Sequence, residues 1–156
     1  MNPEHAQPFI EGVECLFSTM LNCSVDRGEI RETERCAEGG DVTALIGVSG
    51  PGRGTVALSF PNATAEKMVA RLMDIPETEL EDSVIDGVAE LVNIVAGQAK
   101  AKFSPVDGVP LNLSLPTVVR GRDYHLATPT RSFWLDIPFL SELGPFHLRL
   151  TFVFNP

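Results

Sequence analysis

The stretch from Asp86 to Lys100 constrains this chain more than any other. Advancing about 100° per residue as an α-helix does, Val84, Val88, Leu91, Val92, Val95, Ala99 and Phe103 fall along one side. A helix with so wide an apolar stripe has to bury it against other elements. The opposite side carries Asp86, Glu90, Asn93, Gly97 and Lys100. A solvated helix face ordinarily carries long charged side chains. This one offers a carboxylate, an amide one turn later and a glycine one turn beyond. Asn and Gly are poor helix formers, so helix stability does not account for them. A flat polar strip with Gly97 on it lets another protein's backbone come close. The plain alternative is a solvated face with no role.

Charge narrows the class of partner. Twelve Lys plus Arg against 21 Asp plus Glu give a formal charge of -9. That balance opposes binding to nucleic acid or to an anionic membrane surface, and it suits a protein with a basic patch. The 156 residues are enough for one domain, residues 1–156, with a substantial core, and the 44% hydrophobic and 21% charged content is that of a soluble globular protein. No run approaches about 18 uninterrupted apolar residues, so no transmembrane helix is expected. Met1-Asn2-Pro3-Glu4-His5 lacks the positive and apolar regions of a secretory signal. Cys15, Cys23 and Cys36 are odd in number and have no C-x-x-C spacing. They fit reduced thiols in a cytoplasm better than a disulfide framework or a zinc site.

Along the chain, Phe9, Ile10, Val13, Leu16, Phe17 and Met20 recur at helical spacing and predict a first helix from Pro8 to Leu21. Residues near 24–33 are extended, and 36–41 form a loop. Val42–Val48 and Thr55–Phe60 are strands joined by the Ser49–Gly54 turn, a hairpin. Pro61-Asn62-Ala63-Thr64 opens a helix to about Met73, with Asn62 or Thr64 as N-cap, and Asp74-Ile75-Pro76 ends it. The long helix spans about Leu80 to Phe103. Met20, Met68 and Met73 sit at helix positions expected in the core. The C-terminal third is β in character: Thr117–Arg120, Tyr124–Ala127, Phe133–Ile137 and Phe146–Phe154, the last alternating Phe146, Leu148, Leu150, Phe152 and Phe154 on one side. At a sheet edge, that last strand would pair with another protomer. The order implies an α+β fold, with helices packed on one face of a mostly antiparallel sheet.

Other motifs carry less. Gly47 to Gly52 has the spacing of a phosphate loop, but Arg53 and Gly54 stand where Lys and Ser/Thr are needed, and the segment joins two strands. Ser49 lacks the second glycine of a nucleophile elbow, because Pro51 occupies it. His5, His125 and His147 are scattered without a second ligand at metal spacing. Asp86 and Glu90 are two carboxylates with no third cation ligand in sight.

The D-x3-E-x2-N-x3-G spacing of Asp86, Glu90, Asn93 and Gly97 resembles the CheC/CheX chemotaxis phosphatases, and CheX-like members most closely. The resemblance covers nearly the whole chain. It takes in Phe9-Ile10-Glu11 to Met20, the Gly50–Phe60 hairpin, Leu115-Pro116-Thr117-Val118-Val119 with Gly121 before Tyr124, and Ile137-Pro138-Phe139 to Phe154. CheC-like members commonly carry two E-x2-N motifs. Here neither Glu11 nor Glu14 has an Asn three residues on, and a single motif is the CheX pattern. The resemblance implies a cytoplasmic phosphatase that removes the phosphoryl group from the phosphoaspartate of a CheY-like response regulator, in chemotaxis or another two-component circuit. It implies Asn93 as the residue orienting the attacking water and Glu90 as the residue reaching the receiver's Lys, with Asp86, Gly97 and Lys100 as weaker partner contacts. The protein would need no cofactor of its own, since Mg²⁺ is supplied by the response regulator, and a homodimer is expected. The alternative is a non-catalytic receiver-binding adaptor of the same fold.

Overall fold

A computed structural model describes residues 3–33, 40–102, 110–121 and 133–154. Its helices are α1 (Gln7–Leu16), α2 (Asn62–Met73) and α3 (Ser83–Lys102), and α1 continues into a π-helical turn, Phe17–Leu21. Its strands are β1 (Val25–Arg27), β2 (Arg31–Thr33), β3 (Val42–Ser49), β4 (Gly52–Phe60), β5 (Asn112–Leu113), β6 (Thr117–Arg120), β7 (Trp134–Ser141) and β8 (Gly144–Phe154). All pair antiparallel in one sheet of order β1-β7-β8-β4-β3-β5, with β2 also on β7 and β6 also on β3.

Alternation explains the layering. Val42, Ala44, Ile46 and Val48 of β3, Val56, Leu58 and Phe60 of β4, and Phe146, Leu148, Leu150 and Phe152 of β8 are all buried in one core with the helices. Phe146 stands at its centre, stacked on Phe17, Phe60 and Phe139 at centroid distances of 5.6, 5.7 and 5.3 Å. Such contacts add to plain area burial, and here they tie the π turn to three strands.

Small residues set the helix spacing. A Cβ on Gly12 would lie 2.7 Å from the carbonyl oxygen of Val95, so α1 and α3 touch backbone to backbone. One on Gly87 would lie 2.3 Å from Val69 Cγ1, which brings α2 against the start of α3. Lys102 Nζ pairs with Glu11 Oε2 at 3.2 Å, a second tie between α1 and α3.

Several expectations are corrected. The first helix loses α geometry at Phe17, where Asn22 in the left-handed region (φ 52°) closes a π turn. The hairpin turn shrinks to Gly50-Pro51, and β4 begins at Gly52. The N-cap of α2 is Pro61, not Asn62 or Thr64. Its first free N–H, on Asn62, donates to Asp41 Oδ2 at 2.9 Å, a carboxylate 21 positions earlier. Met68 is in the core, whereas Met20 and Met73 are exposed, because both sit where their helices end. The last strand is not an edge: β8 is hydrogen-bonded to β7 on one side and β4 on the other, so it has no free ladder for another protomer. Phe103, Cys36, His125 and the strand expected at Tyr124–Ala127 lie outside the described residues.

The sheet's other face carries a group that the strand pattern reads only as outward-facing. Asp136 and Arg149 are cross-strand partners on β7 and β8. Asp136 Oδ1 accepts from His147 Nδ1 at 2.8 Å and lies 3.4 Å from Arg149 Nε. Arg149 is buried, and its Nε and Nη1 make no hydrogen bond among the described residues. Burial pushes the Asp136 carboxyl up, and the His147 hydrogen bond and the Arg149 charge more than offset that, so it titrates below the usual range.

Candidate functional site

Helix α3 is held on three sides: by the sheet beneath, by α1 through Gly12 and by α2 through Val69. Its buried residues are Val84, Gly87, Val88, Leu91, Val92, Val95, Ala96 and Ala99. This is the expected apolar stripe, less Phe103 and widened by Gly87 and Ala96 at its margins. What remains is a single outward strip. Asp86, Glu90, Gly97 and Lys100 are exposed, and Asn93 is half-buried. Residues 86, 90, 93, 97 and 100 alternate steps of four and three, which keeps them in line over the length of the helix. The structure therefore brings together every site residue singled out from the sequence.

The chemistry of this strip is unsatisfied. Asp86, Glu90, Asn93 and Lys100 make no side-chain hydrogen bond or ion pair with any described residue. Asp86 and Glu90 are like charges at i and i+4, which opposes helix stability. A helix face optimised for stability would place a basic residue there. Lys102, two residues beyond Lys100, does find a carboxylate on α1. So the unpaired state belongs to the strip, not to the helix as a whole.

Gly97 differs from the other helical glycines. A Cβ there would meet nothing within 4 Å among the described residues, whereas Gly12 and Gly87 have neighbours that forbid one. The fold has no use for a glycine at 97. It leaves a shallow step one turn beyond Asn93, open to an approaching surface.

Rigid support fixes where these groups point. Asn93 and Glu90 sit on the middle turns of a 20-residue helix whose inner face is fully packed. Two side chains one turn apart on such an element converge on one small region in front of it, which is how a reacting group is held in position. Asp86 and Glu90 offer two carboxylates to a cation. Among the described residues no three His, Cys, Asp or Glu side chains gather as a metal site. The thiols of Cys15 and Cys23 are free and half-buried, away from this strip, and burial pushes the Cys23 thiol up.

A profile of the family described as "Chemotaxis phosphatase CheX" matches residues 42–140, which contain the whole strip. The chain belongs to the CheX family. A Thermotoga maritima protein named CheY-P phosphatase CheX is 32% identical over 102 residues, 65% of this chain and 65% of that protein's length. The crystal structure of a chemotaxis protein CheX from Desulfovibrio desulfuricans superposes with a TM-score of 0.83 at 25% identity, over 96% of this chain and 99% of that one. The CheX-CheY-BeF3-Mg+2 complex from Borrelia burgdorferi shares the fold, with a TM-score of 0.78 at 17% identity over 95% of this chain and 97% of that one. These likenesses bear out the α+β class and the family expected from the E-x2-N spacing. No helix among the described residues is long and apolar enough to cross a membrane.

Proposed function

We propose that this protein hydrolyses the phosphoaspartate of a CheY-like receiver domain. The observation that carries this is the pair Glu90 and Asn93, one turn apart on the exposed side of α3 with no side-chain partner among the described residues. The names of the Thermotoga and Borrelia relatives, a CheY-P phosphatase and a CheX-CheY complex, support it.

Phosphoryl transfer needs positioning and charge stabilisation more than it needs covalent help. The Asn93 amide accepts a hydrogen bond with its oxygen and donates one with its nitrogen, so it orients a water without becoming charged. The water oxygen bonds to phosphorus as the bond from phosphorus to the aspartyl oxygen breaks, giving inorganic phosphate and the free receiver carboxylate. Glu90 forms a charge-assisted hydrogen bond to the receiver's lysine and fixes α3 in register. Asp86, Gly97 and Lys100 extend the contact along the strip. Two carboxylates are too few to hold Mg²⁺ on this side, so the metal, which neutralises phosphoryl charge, comes with the receiver and the protein has no cofactor of its own. The protein acts in the cytoplasm, in chemotaxis or another two-component circuit. As a homodimer it would pair through the outer strands of the sheet, since β8 is internal.

The test is phosphate release from acetyl-phosphate-charged receiver domains with Mg²⁺, with and without this protein. Wild type accelerates release, and Asn93→Ala loses about 10²-fold while still binding, as expected for removal of one preorganised polar group. Binding without acceleration by wild type would replace the phosphatase with a receiver-binding adaptor.

A further inference from the structure

Glycine is a poor helix former, yet Gly12 stands inside the ten-residue helix α1, among Phe9, Ile10, Val13 and Leu16, none of which is more than 4% exposed. The reason is what faces it. A Cβ there would lie 2.7 Å from the carbonyl oxygen of Val95, and 3.4 Å from both its carbonyl carbon and its Cγ1. The short approach is to backbone, which has no rotamer to change. Ordinary contact begins near 3.4 Å, so any side chain at position 12 drives the backbones of α1 and α3 apart by about 0.7 Å.

Val95 is where such a push reaches the candidate site. It follows Asn93 by two residues and precedes Gly97 by two. Around the helix axis it stands about 180° from Asp86, so a push from α1 acts toward the side that carries the strip. Helix α3 is held near both ends. Val69 closes on Gly87, and in the last turn Ala99 is fully buried and Lys102 pairs with Glu11. Val95 lies between these holds, so the push bows the helix and moves Asn93 and Glu90 relative to Asp86 and Lys100. Helix α1 does not yield in its place. Its apolar side chains fill the core, and the turn that continues it is locked by Phe17, stacked on Phe146 at 5.6 Å. Close-packed interiors of this kind transmit strain.

We infer that Gly12 is a positioning residue of the phosphatase: its missing side chain lets α3 lie straight against α1, and this sets the depth at which Asn93 and Glu90 stand in the strip. The inference rests on the phosphatase function proposed above and adds to it a buried residue that touches neither the receiver nor the attacking water. A group that places a reacting water has to be held within about 0.5 Å, less than the displacement that one added methyl imposes. A misplacement of about 1 Å costs about 10²-fold in rate.

The experiment measures steady-state dephosphorylation of an acetyl-phosphate-charged receiver by wild type, Gly12→Ala, Gly144→Ala and Asn93→Ala, with urea denaturation of each. Gly12→Ala lowers kcat per folded molecule about tenfold or more and changes KM little, the mark of an interaction lost in the transition state and not in docking. Gly144→Ala is the control. Gly144 lies in the turn between β7 and β8 with φ 120°, and a Cβ there would meet Thr64 Oγ1, so this variant is destabilised away from α3 and retains wild-type kcat. Val95→Ile, which adds one methylene at the same seam, takes the place of Gly12→Ala if that variant does not fold, and lowers kcat in the same way. Wild-type kcat in the seam variant, with wild type active and Asn93→Ala inactive, overturns the positioning role alone and leaves Gly12 a packing residue. An equal loss of kcat in Gly144→Ala traces the effect to stability and also overturns the inference. Wild type inactive on every receiver overturns the function beneath it.

Discussion

The same substitution at two glycines of α3 has opposite consequences. At Gly97 a new Cβ meets no atom of the described residues within 4 Å. Gly97→Ala therefore gains the helix propensity that glycine lacks, about 0.5–1 kcal/mol, with nothing to offset it. In a domain of this size about 1 kcal/mol corresponds to roughly 2–4 °C in Tm. At Gly87 the Cβ would lie 2.3 and 2.6 Å from the two methyls of Val69. Overpacking of that kind costs about 1–3 kcal/mol, more than the propensity returns, so Gly87→Ala is destabilised by up to about 2 kcal/mol. Urea denaturation of the two variants beside wild type, with the m-value unchanged, reads both signs. Gly97→Leu completes the argument. It folds at least as well as wild type, yet it projects an isobutyl group from the middle of the docking strip, so KM for the phosphorylated receiver rises. If Gly97→Ala is destabilised, the fold needs that glycine and the open step is an error. If Gly97→Leu retains wild-type KM, no partner approaches α3 there.

Glu90→Ala is expected to weaken receiver binding and turnover together, because in the proposed complex its carboxylate both contacts the partner and sets register; titration of the variant against a beryllofluoride-charged receiver checks it, and full activity would remove Glu90 from the site. Asp136→Asn deprives the buried Arg149 guanidinium of its carboxylate and costs about 3 kcal/mol, the lower range for breaking a buried pair; a loss of a few tenths in urea denaturation would show that Arg149 is not held by Asp136. The Asp136 carboxyl titrates lower when folded than when unfolded. Its contribution is therefore complete above about pH 4 and is lost as pH falls through the depressed folded value. Wild type loses stability in that acid window and Asp136→Asn loses less, which acid titration of the unfolding free energy measures.

Local periodicity carried much of this molecule. The 3.6-residue repeat of Val84, Val88, Leu91, Val95 and Ala99 identifies the inner side of α3, and so leaves Asp86, Glu90, Asn93, Gly97 and Lys100 outside, because a helix has only one way to face a core. Two-residue alternation does the same for β8. These signals are local, and each element reports its own inner side whatever its neighbours are. The order of elements in space is not local. That β8 lies between β4 and β7, and not at an edge, is decided by ladders to residues 52–59 and 135–141, which no alternation within 144–154 encodes. The first free N–H of α2 is taken by Asp41, a residue with no helical position at all. Helical spacing placed Met20 and Met73 inward. Spacing describes an angle about the axis and not where the neighbouring layer stops, and at the ends of α1 and α2 nothing remains to cover them. The sequence by itself thus determined which side of α3 is free and which groups stand on it. Tertiary structure alone decided what surrounds that side, because the neighbours of a helix come from residues far from it in sequence.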